Sequence, residues 1–273
     1  MFSLAALVPS PPILVPELGG AVARTGADPV APLREAVLAA VRALDAAGEW
    51  VVVGIGDSGQ RSLGPRDGIG TFRGFGADVR VGLSAAALLG ESGAAADLAE
   101  PVTPDPAWPL PALIAAWARG QVAPDAEPTV WFVEADCSAD DCVRFGAGLR
   151  AGFDHGRTPV GVLVIADGSS KLTVKSPGYL NPQAAAVQEE LDNALAAGDA
   201  DALRALDPAH CADLGISGRA AYQVLAGLFA ADSAVGKAET LYQDAPFGVG
   251  YHVGLWHPGG AARSSAGSAG GVS

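Results

Sequence analysis

The chain alternates between short unbroken apolar runs and longer segments whose apolar residues recur at helical spacing. SLAALV, at 3–8, is the first such run and stops at Pro9. Its length and the proline predict a buried strand followed by a stiff loop. Asp28-Pro29 reads as an N-cap and a first-turn proline. Leu33, Val37, Ala40, Val41 and Leu44 then predict a helix running to about Ala47. Trp50 to Gly54 is a β-branched strand that leads into Gly56-Asp57-Ser58-Gly59. Further strands are predicted over 78–83, 128–134 and 160–165, and helices over 110–119 and 139–152. Asn181-Pro182 opens the helix AAAVQEELDNALAAG, and helical patterns return over 200–206 and 217–231. FGVGYHVGLW, at 247–256, alternates as a strand that would close the sheet.

Apolar strands interleaved with amphipathic helices imply an α/β fold, a three-layer sandwich with a central mostly parallel or mixed sheet and helices on both faces. No linker or internal repeat interrupts it. The pattern predicts one domain over 1–258, followed by a disordered Gly/Ser/Ala tail over 259–273.

In such folds ligands bind beyond the carboxyl ends of the strands. Three polar turns follow predicted strands here: Pro9-Ser10-Pro11, Gly56-Asp57-Ser58-Gly59 and Asp167-Gly168-Ser169-Ser170-Lys171. They nominate one shared pocket containing Ser10, Asp57, Ser58, Gln60, Arg61, Asp167, Ser169, Ser170 and Lys171. Hydroxyls, carboxylates and cations in that mixture suit a small polar ligand. Asp57, Ser58, Asp167 and Ser170 are the candidates for catalysis. The two aspartates could instead hold a hard cation such as magnesium. The same residue types also serve as ordinary caps and turns.

Composition narrows the partners. A net charge of −13 argues against nucleic acid and anionic membranes, which attract positive potential. The apolar N-terminus lacks a basic n-region, and no stretch approaches the roughly 20 apolar residues of a membrane span. A cytoplasmic location is the expectation. Cys137, Cys142 and Cys211 are odd in number and lack metal-site spacing, so they read as reduced thiols.

Gly56-Asp57-Ser58-Gly59 and Ala209-His210-Cys211 together resemble two parts of a serine-protease triad. The helix-rich pattern contradicts the antiparallel barrel that triad requires, and here serine precedes histidine. A second hydrolase class carries Gly-Asp-Ser near its first strand and Asp-x-x-His near its C-terminus. Here Gly56-Asp57-Ser58 follows the second predicted strand, and Phe247-Gly-Val-Gly-Tyr-His252, ahead of the tail, supplies a histidine without that aspartate. A serine without a positioned base is not activated.

Three segments point elsewhere. ALVPSPPILVPELGG (6–20), ADGSSKL (166–172) and APFGVGYHVG (245–254) occur in an order that spans nearly the whole chain. Together they resemble the class III extradiol ring-cleavage dioxygenase superfamily, in the branch that includes the protocatechuate 4,5-dioxygenase β-subunit and the Memo-type proteins. Active members of that family hold ferrous iron with two histidines and a carboxylate, and use a further histidine as acid or base. The resemblance places the family's Pro-His-Pro-Pro histidine on Ser10 and its second-loop histidine on Ser58 or Asp57. It places the Asp-Leu-Ser-His histidine on Ser170, with Asp167, Ser169 and Lys171 matching its neighbours. Glu239 is the one nominee for the carboxylate ligand. Hydroxyls are poor substitutes for imidazole on iron, so the expectation is a fold retained without the Fe(II) chemistry. What it would retain is small-molecule binding or an interaction role, with possible self-association. An enzyme that uses the same polar pocket in another way is the alternative.

Overall fold

A computed structural model describes residues 1–20, 28–57, 59, 61–89, 103–232 and 235–259. In chain order the elements begin with β1 (Phe2–Val8), α1 (Ala31–Asp45), β2 (Glu49–Gly56), β3 (Ser62–Leu63), β4 (Ile69–Thr71) and β5 (Arg80–Gly82). Next come α2 (Ala85–Leu89), α3 (Leu110–Val122), β6 (Thr129–Glu134), α4 (Ala139–His155) and β7 (Val160–Ile165). The chain continues through α5 (Ala184–Ala197), α6 (Ala200–Arg204), α7 (Pro208–Asp213), α8 (Arg219–Leu228), β8 (Val235–Asp244) and β9 (Tyr251–Pro258).

Seven strands form one sheet in the order β3-β6-β2-β7-β1-β9-β8. β6, β2, β7 and β1 run parallel, while β9, β8 and β3 are antiparallel to their neighbours. β4 and β5 pair separately. The sheet is therefore mixed, with its parallel part in the middle, as the continuous apolar runs predict.

Strand periodicity divides the core in two. Leu4, Ala6 and Val8 of β1 point to the layer built by α1 and α3, with Val52, Leu163 and Ile165. Ala5 and Leu7 point the other way, with Val53, Val162 and Val164, to the layer of α5 and α8. All six residues of β7 are buried, since strands flank it on both sides and helices cover both faces. Each such Val or Leu contributes about 1.5–3 kcal/mol on burial.

Several boundaries move from the sequence expectation. α1 starts at Ala31, and Asp28 closes the turn before it by accepting from Val30 N–H (2.9 Å) and Arg34 (2.7 Å). The strand expected over 78–83 is β5 alone, paired outside the main sheet. Residues 247–250 form a turn, so β9 begins at Tyr251. α8 is shorter than 217–231 because Ile216 and Gly218 are bonded to the loop after β7. β8 was not foreseen; its polar residues and half-exposed positions belong to an edge strand. α7 was also unforeseen, although Asp207 caps it and Pro208 occupies its first turn. Of the tail, 260–273 lies outside the described residues. Among the described residues no helix is long and apolar enough to cross a membrane.

α4 and α8 pack through glycines. A Cβ on Gly146 would lie 2.1 Å from the Val224 carbonyl oxygen, and one on Gly227 would lie 2.2 Å from that of Val143. Helix propensity alone makes Gly146→Ala stabilising by roughly 1 kcal/mol. The crossing makes it destabilising, by about 1–3 kcal/mol. Urea unfolding reads the sign, and a stabilised variant would refute this account of the contact.

Candidate functional site

The order β2-β7-β1 with all three strands parallel brings the ends Gly56, Ile165 and Val8 side by side. The polar turns nominated from sequence therefore leave the sheet at one edge. Two of them make direct contact. Ser10 donates its backbone N–H to Asp167 Oδ1 at 2.9 Å and its hydroxyl to Asp167 Oδ2 at 2.5 Å.

The loop after β7 is held in place by backbone bonds from two further segments. Gly168 N–H donates to Gly250 O at 2.9 Å, and Gly250 N–H returns a bond to Ser169 O at 2.9 Å. Ser170 N–H donates to Gly215 O at 3.0 Å, and Gly218 N–H donates to Asp167 O at 2.9 Å. Only a glycine permits that last approach, because a Cβ at 218 would lie 2.6 Å from Asp167 O. Ser169 faces inward: its hydroxyl donates to Leu214 O at 2.5 Å, and its N–H donates to Gln188 Oε1 at 2.7 Å.

A cavity of about 190 Å³ opens over this junction. Ile55, Leu110, Pro111 and Ile165 form its apolar wall, and Ser10, Asp167 and Ser217 its polar end. Burial pushes the Asp167 carboxyl above the usual carboxylate range, opposed by its two bonds from Ser10. Tyr222 and Tyr251 are buried nearby. Burial first, then the Asp167 charge, raises both phenols, so neither loses a proton near neutrality.

Ser217 also lines a second cavity of about 260 Å³, shared with Ser170, Cys211, Gly215 and Arg219. Arg219 is buried, and it donates to the carbonyls of Ala135 and Cys137 and to Gln223 Oε1 (2.9 Å). Among the described residues no carboxylate forms a salt bridge with it. The Cys211 thiol is pushed up to about 11 by burial, with Arg219 only partly opposing, so it is no thiolate nucleophile.

The structure unites Ser10 with Asp167 and sets Ser170 in the adjoining cavity. The other nominees among the described residues line neither cavity. Asp57 is exposed, and Arg61 is exposed with its carbonyl accepting from Phe132 N–H at 3.0 Å. Lys171 reaches away, its Nζ donating to Asp213 O at 2.8 Å. Ser169 is consumed as described. Glu239 lies on edge strand β8, paired with Lys237 at 2.5 Å, and that bond lowers its carboxyl. Ser58 and Gln60 lie outside the described residues. Sequence reasoning missed Leu110, Pro111, Ser217, Gly218 and Arg219; Ser217-Gly218 directly before a helix was the available signal.

Among the described residues no imidazole lines either cavity. His155 ends α4, His210 is exposed on α7, and His257 lies on β9. His252 is buried on β9, 3.5 Å from Asp192 and 3.4 Å from the Thr240 hydroxyl. Among the described residues no three His, Cys, Asp or Glu side chains cluster as a metal would need. The donors that converge on the first cavity are one carboxylate and hydroxyls, and this set does not fit ferrous iron held by two imidazoles and a carboxylate.

No protein-family model matches the chain. No curated protein matches it either. A solved structure of an uncharacterized protein from Escherichia coli K12 aligns with 93% of this chain and 99% of its own. That alignment has 15% identity and a TM-score of 0.47.

The raised Asp167 carboxyl has a pH signature. The folded state holds this proton more tightly than the unfolded state, where an aspartate titrates near about 3.9. Its contribution to stability is therefore greatest below that value and is lost as pH rises through the higher folded value. The stability gap between the wild type and Asp167→Asn should narrow as pH rises from about 4 towards 7. Urea unfolding across that range measures it; a gap that widens with pH contradicts the burial assigned to Asp167.

Proposed function

We propose that this chain is a small-molecule-binding protein of class III extradiol dioxygenase-like descent that does not carry out iron-dependent ring cleavage. The observation that carries the reading is the Asp167–Ser10 pair at the polar end of an otherwise apolar cavity at the carboxyl ends of parallel strands. A cavity of about 150 Å³ lined by aliphatic groups is large enough for benzene. One of 190 Å³ walled by Ile55, Leu110, Pro111 and Ile165 suits a ligand of one ring. Asp167 and the lone pairs of Ser10 Oγ are acceptors, so the ligand presents a hydroxyl or amine donor to them.

Hydrolysis lacks support, since no imidazole reaches either Ser10 or Ser170 among the described residues. The serines at the positions that the family resemblance gives to iron and base histidines leave the chain with recognition in place of redox chemistry.

Two anaerobic calorimetric titrations test this, one with catechol as the probe and one with Fe(II). Catechol is expected to bind saturably without metal, and Asp167→Asn to weaken it by about 10–100-fold, as loss of a hydrogen bond to a charged group does. Fe(II) is expected not to saturate a one-to-one site. Stoichiometric iron binding followed by catechol consumption would overturn the proposal, as would catechol binding indifferent to Asp167→Asn.

A further inference from the structure

α4 carries three glycines, Gly146, Gly148 and Gly152, and glycine inside a helix costs stability. Gly146 is explained by the crossing with α8. Gly148 and Gly152 are not, because a Cβ added at either meets nothing within 4 Å. Both lie on the solvent face of α4 in a shallow, mostly apolar groove of about 570 Å³, beside half-buried Phe145 and Leu149. Asp141 lies at one end of this face and His155 at the other.

The groove is lined by residues at intervals of three and four along α4 alone, the spacing of a seam that seats a second helix. The arrangement is also self-complementary. If a second α4 lies antiparallel about a two-fold axis beside Gly148, Phe145 of each copy falls over Gly152 of the other, and Leu149 over Gly148. The same register brings Asp141 of each copy, which already accepts from Ser138 and Arg144 in its own chain, within one residue of His155 of the other. The His155 ring leaves an outward nitrogen free for this contact, since Nδ1 lies 2.5 Å from its own helix's Ala151 carbonyl and must donate there. Bulky side chains thus meet glycines and an acid meets a base, which a parallel pairing does not achieve.

We propose that this face of α4 is the interface of a two-fold symmetric homodimer, with a second copy of the chain as its occupant. Closed two-fold dimers are the commonest assembly of soluble chains. A helix of 17 residues is about 25 Å long and the groove occupies part of it, so a seam built on α4 alone belongs with weak, transient interfaces, which bury less than about 1,200 Å². A reversible dimer, formed as concentration rises, is the expectation.

Sedimentation velocity of the full chain from about 1 to 100 μM tests the interface. The wild type is expected to shift from monomer to dimer across that range. Gly152→Glu, which meets no atom in its own chain, is expected to stay monomeric while its circular dichroism and melting temperature hold or improve. His155→Asp is expected to weaken association by about tenfold or less, an effect that salt screens. Gly148→Cys, placed at the axis, is expected to form an oxidative cross-linked dimer that Gly152→Glu abolishes. A wild type that is monomeric throughout would overturn the proposal. So would a dimer that survives Gly152→Glu, or a Gly148→Cys chain that never cross-links to its own kind.

Discussion

The central position of β7 is the constraint on which the rest of the architecture depends. Its sequence, VGVLVI, offers no polar face, so it can be accommodated only where strands flank it and helices cover both sides. β1 and β2 supply the flanks, in parallel, and parallel pairing forces each connection to cross over through the helical layers. The carboxyl ends of three strands then converge. A loop leaving β7 at that point starts inside the protein, and its backbone groups must find partners without water. Residues 215–218 and 248–250 provide them. The loop that presents Asp167 is rigid for the same reason that β7 is central.

Most of this architecture could be read along the chain, because the central elements are short, apolar and separated by strong stop signals. Pro9, Gly56 and Asp167 mark the ends of three strands whose existence follows from periodicity, while their order in the sheet does not. The elements that escaped are those whose stability is tertiary. β8 has alternating polar residues at an edge, and its pairing with β9 across a shift at Thr240/Tyr242 leaves no local signature. The turn at 247–250 reads as strand because Phe247 and Val249 are apolar, yet Gly248 adopts a φ of 70° that a strand residue does not. The site was legible to the extent that its residues lie directly after strands. Ser10 and Asp167 meet for that reason. Asp57 and Arg61 follow a strand too, but both are exposed, and Arg61 is bonded through its backbone to β6; no pattern in the sequence records that. Ser217 and Arg219 come from the start of a helix far along the chain and reach the site only through the fold.

Serine at position 10 decides how Asp167 is satisfied. An imidazole there would offer a strong ligand to a soft or borderline metal; a hydroxyl offers a donor to Asp167 and keeps two lone pairs. The carboxylate is then satisfied from within the protein, by a backbone N–H and a hydroxyl, with no cation required. Burial still favours its neutral form, so the pair is held in balance, and a ligand donor arriving from the cavity would shift that balance towards the anion.

The first turn of α8 sets the polarity around that balance. The start of a helix carries a partial positive charge, which favours an anionic Asp167 beside Gly218 and disfavours the guanidinium of Arg219 at the first helical position. Arg219 is nonetheless buried there, held by the Ala135 and Cys137 carbonyls and by Gln223. A buried cation with no carboxylate paired to it among the described residues is tolerated only when dipoles surround it. Ser217 stands between the two groups, lining both cavities. The edge of the sheet thus sets the acceptors Asp167 and Ser10 on one side of Ser217, and on the other a guanidinium whose charge is held by protein carbonyls. On the binding role proposed above, that division favours polar ligands over purely apolar ones of the same size.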